Sequence, residues 1–246
     1  GSWVTIAGPN GSGKTTLIRQ LLGILEISKG EILVDDSKDY LNLLSYVPQF
    51  PVLYPALSVK ESLKLTLLYQ GVNRKEIIAK IEEMLQLTQM QGMGDKPCYT
   101  LSGGQQKLLS FAGALIQDKP YLILDEVTSM VDIVTKQNIW SIIKTLKKDK
   151  GILIASHDME EVKQLCDYVV ILKDGEVSFY DKKEKIGAGC CSISVKGKTF
   201  SEDKIFYNLG DALSYINKFE NCEEILNIKC DYPNFDMGVL NIVAKN

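Results

Sequence analysis

Gly8-Pro9-Asn10-Gly11-Ser12-Gly13-Lys14-Thr15 matches the pattern G-x-x-x-x-G-K-[ST] at every fixed position. Before it stand Trp3-Val4-Thr5-Ile6-Ala7, short, apolar and rich in strand formers. After it, Thr16-Leu17-Ile18-Arg19-Gln20-Leu21-Leu22 places apolar residues at helical spacing. Strand, glycine-bearing turn and helix form the context in which this pattern cradles phosphate. The reason is local: Gly11 and Gly13 let backbone N–H groups turn inward on a phosphate chain, and a helix starting near Lys14 aims its positive end at the same place. Lys14 would reach the β- and γ-phosphates, and the Thr15 hydroxyl would face Mg²⁺. Gly8, Pro9, Asn10, Ser12 and Thr16 complete the lining. A glycine-rich turn that binds nothing is the competing reading, and the full match in its required context argues against it. The loop predicts a nucleoside triphosphate site.

Composition bounds what else the chain can be. Its 246 residues are 45% hydrophobic and 24% charged, as expected of an ordinary globular protein with room for one or two domains. A formal net charge of −3 gives no electrostatic case for nucleic acid, and none is expected as a partner. The six cysteines (98, 166, 190, 191, 222, 230) show neither paired C-x-x-C spacing nor a nearby histidine. They read as reduced thiols of a cytosolic protein. No apolar run approaches the roughly 18 residues needed to span a bilayer, and no signal peptide is visible. Any membrane role is therefore expected to run through a separate chain.

Along the chain, residues 31–34 and 43–47 read as short strands, ending in Pro48-Gln49-Phe50-Pro51. Ser58-Val59-Lys60-Glu61 is a capping box opening a helix to about residue 70, and Asn73-Arg74-Lys75-Glu76 opens another to about 87. Residues 92–99 read as a loop. Leu101-Ser102-Gly103-Gly104-Gln105 then precedes a helical pattern to about 117. Tyr121-Leu122-Ile123-Leu124-Asp125-Glu126 is a buried strand ending in two acids, where open α/β sheets place their chemistry. A helix over 133–148 and a strand over 152–155 lead to Ser156-His157-Asp158, and His157 is the single histidine of the chain.

In this order the motifs resemble those of the nucleotide-binding subunit of an ABC transporter, over residues 1 to about 185. Walker A is Gly8 to Thr15, the Q-loop glutamine is Gln49, and the signature is Leu101, Ser102, Gly103, Gly104 and Gln105. Walker B runs from Tyr121 to Glu126, the D-loop is Ser129-Met130-Val131-Asp132, and the switch histidine is His157. The resemblance implies an α/β P-loop NTPase fold. It has a RecA-like core, an antiparallel β piece and a helical signature subdomain over about 56–118. It further implies ATP and Mg²⁺ as ligands, with Thr15, Gln49 and Asp125 around the metal. Glu126 is the implied general base, and His157 and Lys14 the implied contacts of the reacting phosphate. The signature is expected to cap the ATP of an opposing subunit in a head-to-tail homodimer or heterodimer, with Asp132 communicating across it. A transmembrane permease on a separate chain would be the partner, placing the protein peripherally on the cytoplasmic face of the membrane.

Some features depart from that pattern. Val127 follows Walker B where proline is usual, which relaxes a rigid turn without removing a reacting group. Met130 stands where a small residue is common. Trp3 lies too close to the phosphate loop to stack on a base, so it is expected to pack against the sheet, and the family's usual N-terminal strands read as truncated. The stretch Ser45 to Pro55 and the run from Asp158 to Asp167 resemble exporter subunits of the ABC-2 type. Beyond a polar, glycine-bearing joint at 182–189, a strand (192–195), a helix (210–219) and strands near 225–230 and 238–243 suggest a small α+β appendage over 186–246 that acts as a structural cap. Two other functions remain open to the sequence: a non-transport ABC ATPase and a non-hydrolysing ATP-binding regulator.

Overall fold

The computed structural model describes residues 2–146, 149–183, 191–197, 201–206, 215 and 225–231. Strand β1 (Trp3–Ala7) leads into helix α1 (Lys14–Leu21), and β2 (Leu44–Val47) follows a 3₁₀ turn. Three helices come next: α2 (Val59–Tyr69), α3 (Arg74–Leu87) and α4 (Gly103–Leu115). Then β3 (Tyr121–Asp125), α5 (Ile133–Thr145), β4 (Gly151–Ser156) and α6 (Met159–Leu165) alternate before the hairpin β5 (Tyr168–Lys173) and β6 (Glu176–Lys182). Strands β7 (Cys191–Gly197), β8 (Ser201–Phe206) and β9 (Ile225–Asp231) form a second, antiparallel sheet in the order β8-β7-β9.

The main sheet has the order β2-β3-β4-β1-β5-β6. Its first five strands are parallel, and β6 pairs antiparallel with β5. Parallel neighbours need long crossovers, which the helices supply, and helices on the sheet bury its strands. Alternation along β3 shows the consequence. Leu122 and Leu124 join the cluster that holds Leu63, Leu109 and Ile143 from the helices, while Ile123 packs with Ile18 of α1 and Ala155. Trp3 is buried in the first of these clusters, as expected of a residue packed against the sheet. Because the parallel strands all end on the same side, the segments following β1, β2, β3 and β4 meet there.

Local signals set most of the element ends. Ser58 caps α2 in a capping box with Glu61, and Asn73 caps α3. The loop over 92–99 contains short 3₁₀ turns at Gln91–Met93 and Cys98–Thr100. Three expectations change. The helix predicted over 133–148 closes at Thr145, with Leu146 as its C-cap, and the pattern predicted to 117 closes at Leu115. Residues 31–34 are not a strand. Asp35 and Asp36, both at positive φ (51° and 59°), fold Val34 back onto Ser37 as an isolated bridge, and no other strand pairs with the segment among the described residues. Strands β7 and β9 match the expected 192–195 and 225–230. The predicted strand at 238–243, most of the helix at 210–219 and the boundary at 185/186 lie outside the described residues.

Candidate active site

The phosphate-loop pattern folds into a cradle whose shape its own residues dictate. At Gly8, a Cβ would sit 2.4 Å from the Leu172 carbonyl oxygen of β5, so no side chain fits. Gly13 takes φ 103° as the N-cap of α1 and offers no side-chain cap, which leaves the first-turn N–H groups for an outside acceptor. The loop is braced by Ser12 N–H donating to Pro9 O (3.2 Å) and by Gly175 N–H, from the β5–β6 turn, donating to Ser12 O (3.1 Å). Lys14 is 5% exposed and folds back on the loop, its Nζ donating to Gly8 O (2.9 Å) and Pro9 O (3.0 Å). Burial pulls the Lys14 pKa down, opposed by the charges of Glu126 and Asp125. The Ser12 hydroxyl is buried with no hydrogen-bond partner among the described residues.

The carboxylates arrive from the end of β3. Asp125, 1% exposed, accepts from the Thr15 hydroxyl (3.3 Å) and from the Tyr46 hydroxyl (3.4 Å) on the neighbouring strand β2. Burial raises the Asp125 pKa, and burial with the Asp125 charge beside it pushes Tyr46 up to about 12. Glu126 continues the line of β3, its N–H donating to Ala155 O (3.0 Å), but its φ of 48° turns the chain out of the sheet. Its side chain is gripped twice. Gln49 Nε2 donates to Oε2 at 3.0 Å, and His157 Nδ1 lies 3.2 Å from Oε1. Lys14 Nζ is 4.0 Å from the same Oε1. Thus Lys14, Gln49, Glu126 and His157 line one cavity of about 630 Å³, together with Asn10 and Thr16. Thr15 and Asp125 meet, whereas the Gln49 amide reaches Glu126 and makes no hydrogen bond with either.

The signature residues lie elsewhere. Ser102 caps α4, its Oγ accepting from Gln105 N–H (3.3 Å) while Gln105 Oε1 accepts from Ser102 N–H (3.0 Å). Gly103 and Gly104 form the first turn, Leu101 is buried behind it, and none of the five lines the cavity. Asp132 caps α5 by accepting from the Thr135 N–H (2.9 Å) and hydroxyl (2.7 Å), which hold its pKa down. A Cβ at Gly104 would lie 3.4 Å from Asp132 Oδ2, so the signature and the Asp132 loop touch within one chain.

Three side chains near the cavity carry no motif. Tyr46 braces Asp125. Buried Lys107 of α4 reaches the turn after Glu126. Buried Glu161 of α6 accepts from the Thr128 hydroxyl (2.8 Å) and Trp140 Nε1 (3.1 Å). The available signal was one of pattern: Lys107 is a lone cation beside Leu108, Leu109 and Phe111, and Glu161 is an acid on the buried side of a short helix.

Residues 1–129 match the family model described as ABC transporter. The chain is 32% identical over 200 residues to the uncharacterized ABC transporter ATP-binding protein YxlF of Bacillus subtilis (79% of this chain, 68% of that protein). It is 33% identical over 186 residues to the spermidine/putrescine import ATP-binding protein PotA of Haemophilus influenzae (72% of this chain), spanning half of that protein's length. The dimeric structure of a post-hydrolysis state of the ATP-binding cassette MJ0796, bound to ADP and Pi, superposes with a TM-score of 0.68 at 26% identity, over 74% of this chain and 85% of that one.

Proposed function

The chain belongs to the ABC transporter family, whose ATP-binding cassettes are P-loop ATPases, and from that premise we propose that it binds and hydrolyses ATP to drive a membrane permease carried on a separate chain. The observation that carries this reading is the convergence of Lys14, Gln49, Glu126 and His157 on one cavity, at the mouth of an uncapped helix. The buried, unpartnered Ser12 hydroxyl and the open N–H groups of α1 suit a phosphate chain. Thr15 and Asp125 present a hydroxyl and a carboxylate to one point, a hard-oxygen pair that suits Mg²⁺. When bound there, Mg²⁺ would neutralise phosphate charge.

The residues divide the remaining work. The Lys14 ammonium exchanges two loop carbonyls for phosphate oxygens, a charge-assisted contact in a partly dry site. Glu126 takes the proton of the attacking water. Gln49 and His157, each on one of its oxygens, fix the direction in which that carboxylate points. The signature residues Leu101, Ser102, Gly103, Gly104 and Gln105 serve a second subunit's nucleotide, in a head-to-tail dimer across which Asp132 communicates. That arrangement is supported by their position away from this chain's own cavity. Phe50, Val52 and Tyr54 stand exposed immediately after Gln49 and offer an apolar landing for the permease. No helix among the described residues is long and apolar enough to cross a membrane. A peripheral position on the cytoplasmic face follows from this assignment.

Phosphate release measured against protein concentration tests the reading. Hydrolysis should rise more steeply than linearly, and Glu126→Gln should lose about 10²-fold or more in kcat while still dimerising with ATP. Binding of ATP without turnover by the unaltered chain would favour a regulator instead.

A further inference from the structure

We propose that Lys107 is a positioning residue, tying the signature helix α4 to the turn that carries Glu126, so that contact made by the exposed end of α4 sets the aim of the general base. The proposal rests on the ATPase reading above and names a residue that no motif covers.

The geometry is a strut. Ser102 and Gly103, at the start of α4, are exposed to solvent, whereas Lys107, one turn further on, is 8% exposed. Its Nζ donates to the Ser129 hydroxyl at 2.9 Å and to the Ser129 carbonyl oxygen, and lies 3.4 Å from the Glu126 carbonyl oxygen. The Ser129 hydroxyl in turn donates to Glu126 O at 2.8 Å, and the Ser129 N–H donates to the same oxygen at 3.0 Å. The turn from Glu126 to Met130 is thus held by its carbonyls from the signature helix. It needs holding: Glu126 and Met130 both adopt the left-handed region, at φ 48° and 59°, which side-chain-bearing residues keep only when their surroundings impose it.

The charge argues the same way. Among the described residues no carboxylate lies within ion-pair distance of Lys107, and its ammonium is spent on carbonyl and hydroxyl oxygens. A buried ammonium without a paired carboxylate is costly, so its hydrogen bonds are the compensation. Burial lowers its pKa, with Glu126 and Glu161 opposing. The same helix runs close to the far end of this loop as well, where a Cβ at Gly104 would lie 3.4 Å from Asp132 Oδ2 and from Thr135 Oγ1.

The test is steady-state ATP hydrolysis and nucleotide binding by the full chain carrying Lys107→Met, Lys107→Gln or Lys107→Arg, with thermal unfolding of each. The expected result is a fall in kcat of about 10- to 100-fold in Lys107→Met, with KM and ATP binding changed less than about threefold. At least one of the two donor-retaining variants should recover most of the rate. Ser129→Ala should lose rate too, and the double variant should fall no further than the worse single one. A folded Lys107→Met with kcat within about twofold of the unaltered protein overturns the proposal. So does a loss that neither donor-retaining variant repairs, or one that adds fully to Ser129→Ala. Should Lys107→Met fail to fold, Lys107→Gln and Ser129→Ala decide by the same criteria. An unaltered protein that neither binds nor hydrolyses ATP overturns the ATPase reading itself, and the proposal with it.

Discussion

Glu161 shows what a buried carboxylate costs beside an active site. It is 1% exposed, with the Thr128 hydroxyl and Trp140 Nε1 donating to one of its oxygens, and burial holds its pKa above the ordinary carboxylate range. A raised folded-state pKa means that the stability present below the unfolded value, about 4.3 for glutamate, is lost as pH rises through the folded value. Glu161→Gln removes that loss. Urea unfolding should show the variant level with the parent near pH 4 and increasingly more stable than the parent as pH rises to about 8, and a gap independent of pH would refute the account. The hydroxyl–carboxylate contact of Thr15 with Asp125 leads to a second prediction: Asp125→Asn should keep ATP binding but lose its dependence on Mg²⁺, measured by fluorescent-nucleotide titration with and without chelator. At this scale the sequence was most legible where a residue's position is local to a motif. Lys14, Asp125, Glu126 and His157 stand where their motifs place them. Tyr46, Lys107 and Glu161 escaped because each finds its partner across the fold: Tyr46 and Asp125 are 79 positions apart, and Glu161 and Thr128 are 33 apart. Spacing along the chain does not encode such contacts.

Secondary-structure elements were legible wherever a start signal accompanied a period. The Ser58 capping box is present in full: Ser58 Oγ accepts from Glu61 N–H at 3.2 Å while Ser58 N–H donates to Glu61 Oε2 at 2.7 Å. Ser58→Ala should cost about 1 kcal/mol of stability by denaturant unfolding, with kcat unchanged, because α2 contributes nothing to the phosphate cavity. Gly8→Ala should do far more damage. Its Cβ would press on a backbone oxygen 2.4 Å away, so β5 or the loop must shift, and both folding stability and ATP affinity should fall together in a thermal melt with and without nucleotide. Residues 31–34 misled because a short apolar run marks a strand only if a neighbour pairs with it, and the left-handed Asp35-Asp36 turn directs the chain back on itself instead. The hairpin of β5 and β6 drew no expectation even though Asp174 and Gly175, both at positive φ, form the tight turn between its strands.

For the molecule as a whole, a ligand that binds only the folded state raises stability by mass action, by about 2.7 kcal/mol at a hundred times its dissociation constant. Saturating Mg-ATP should therefore raise the unfolding midpoint by several degrees, and Lys14→Ala should abolish the rise. The architecture behind this was legible from motif order, since the phosphate loop, Gln49, Glu126 and His157, far apart in sequence, become neighbours when the parallel strands end on one side. The strand order and the second sheet were not, because pairing partners are fixed by packing across the fold. One buried feature bears on how such experiments can be done. Cys98 and Cys166 are each 1% exposed, and burial pushes the Cys166 thiol, whose Sγ donates to Val162 O, up to about 11. At neutral pH little of Cys166 is thiolate, the form that attacks maleimides and oxidants. Both positions are spectators to labelling chemistry. Replacing only the four cysteines beyond residue 189 leaves a background on which a dye or spin label at a chosen surface position reports the approach of two subunits, with Cys98 and Cys166 left in place.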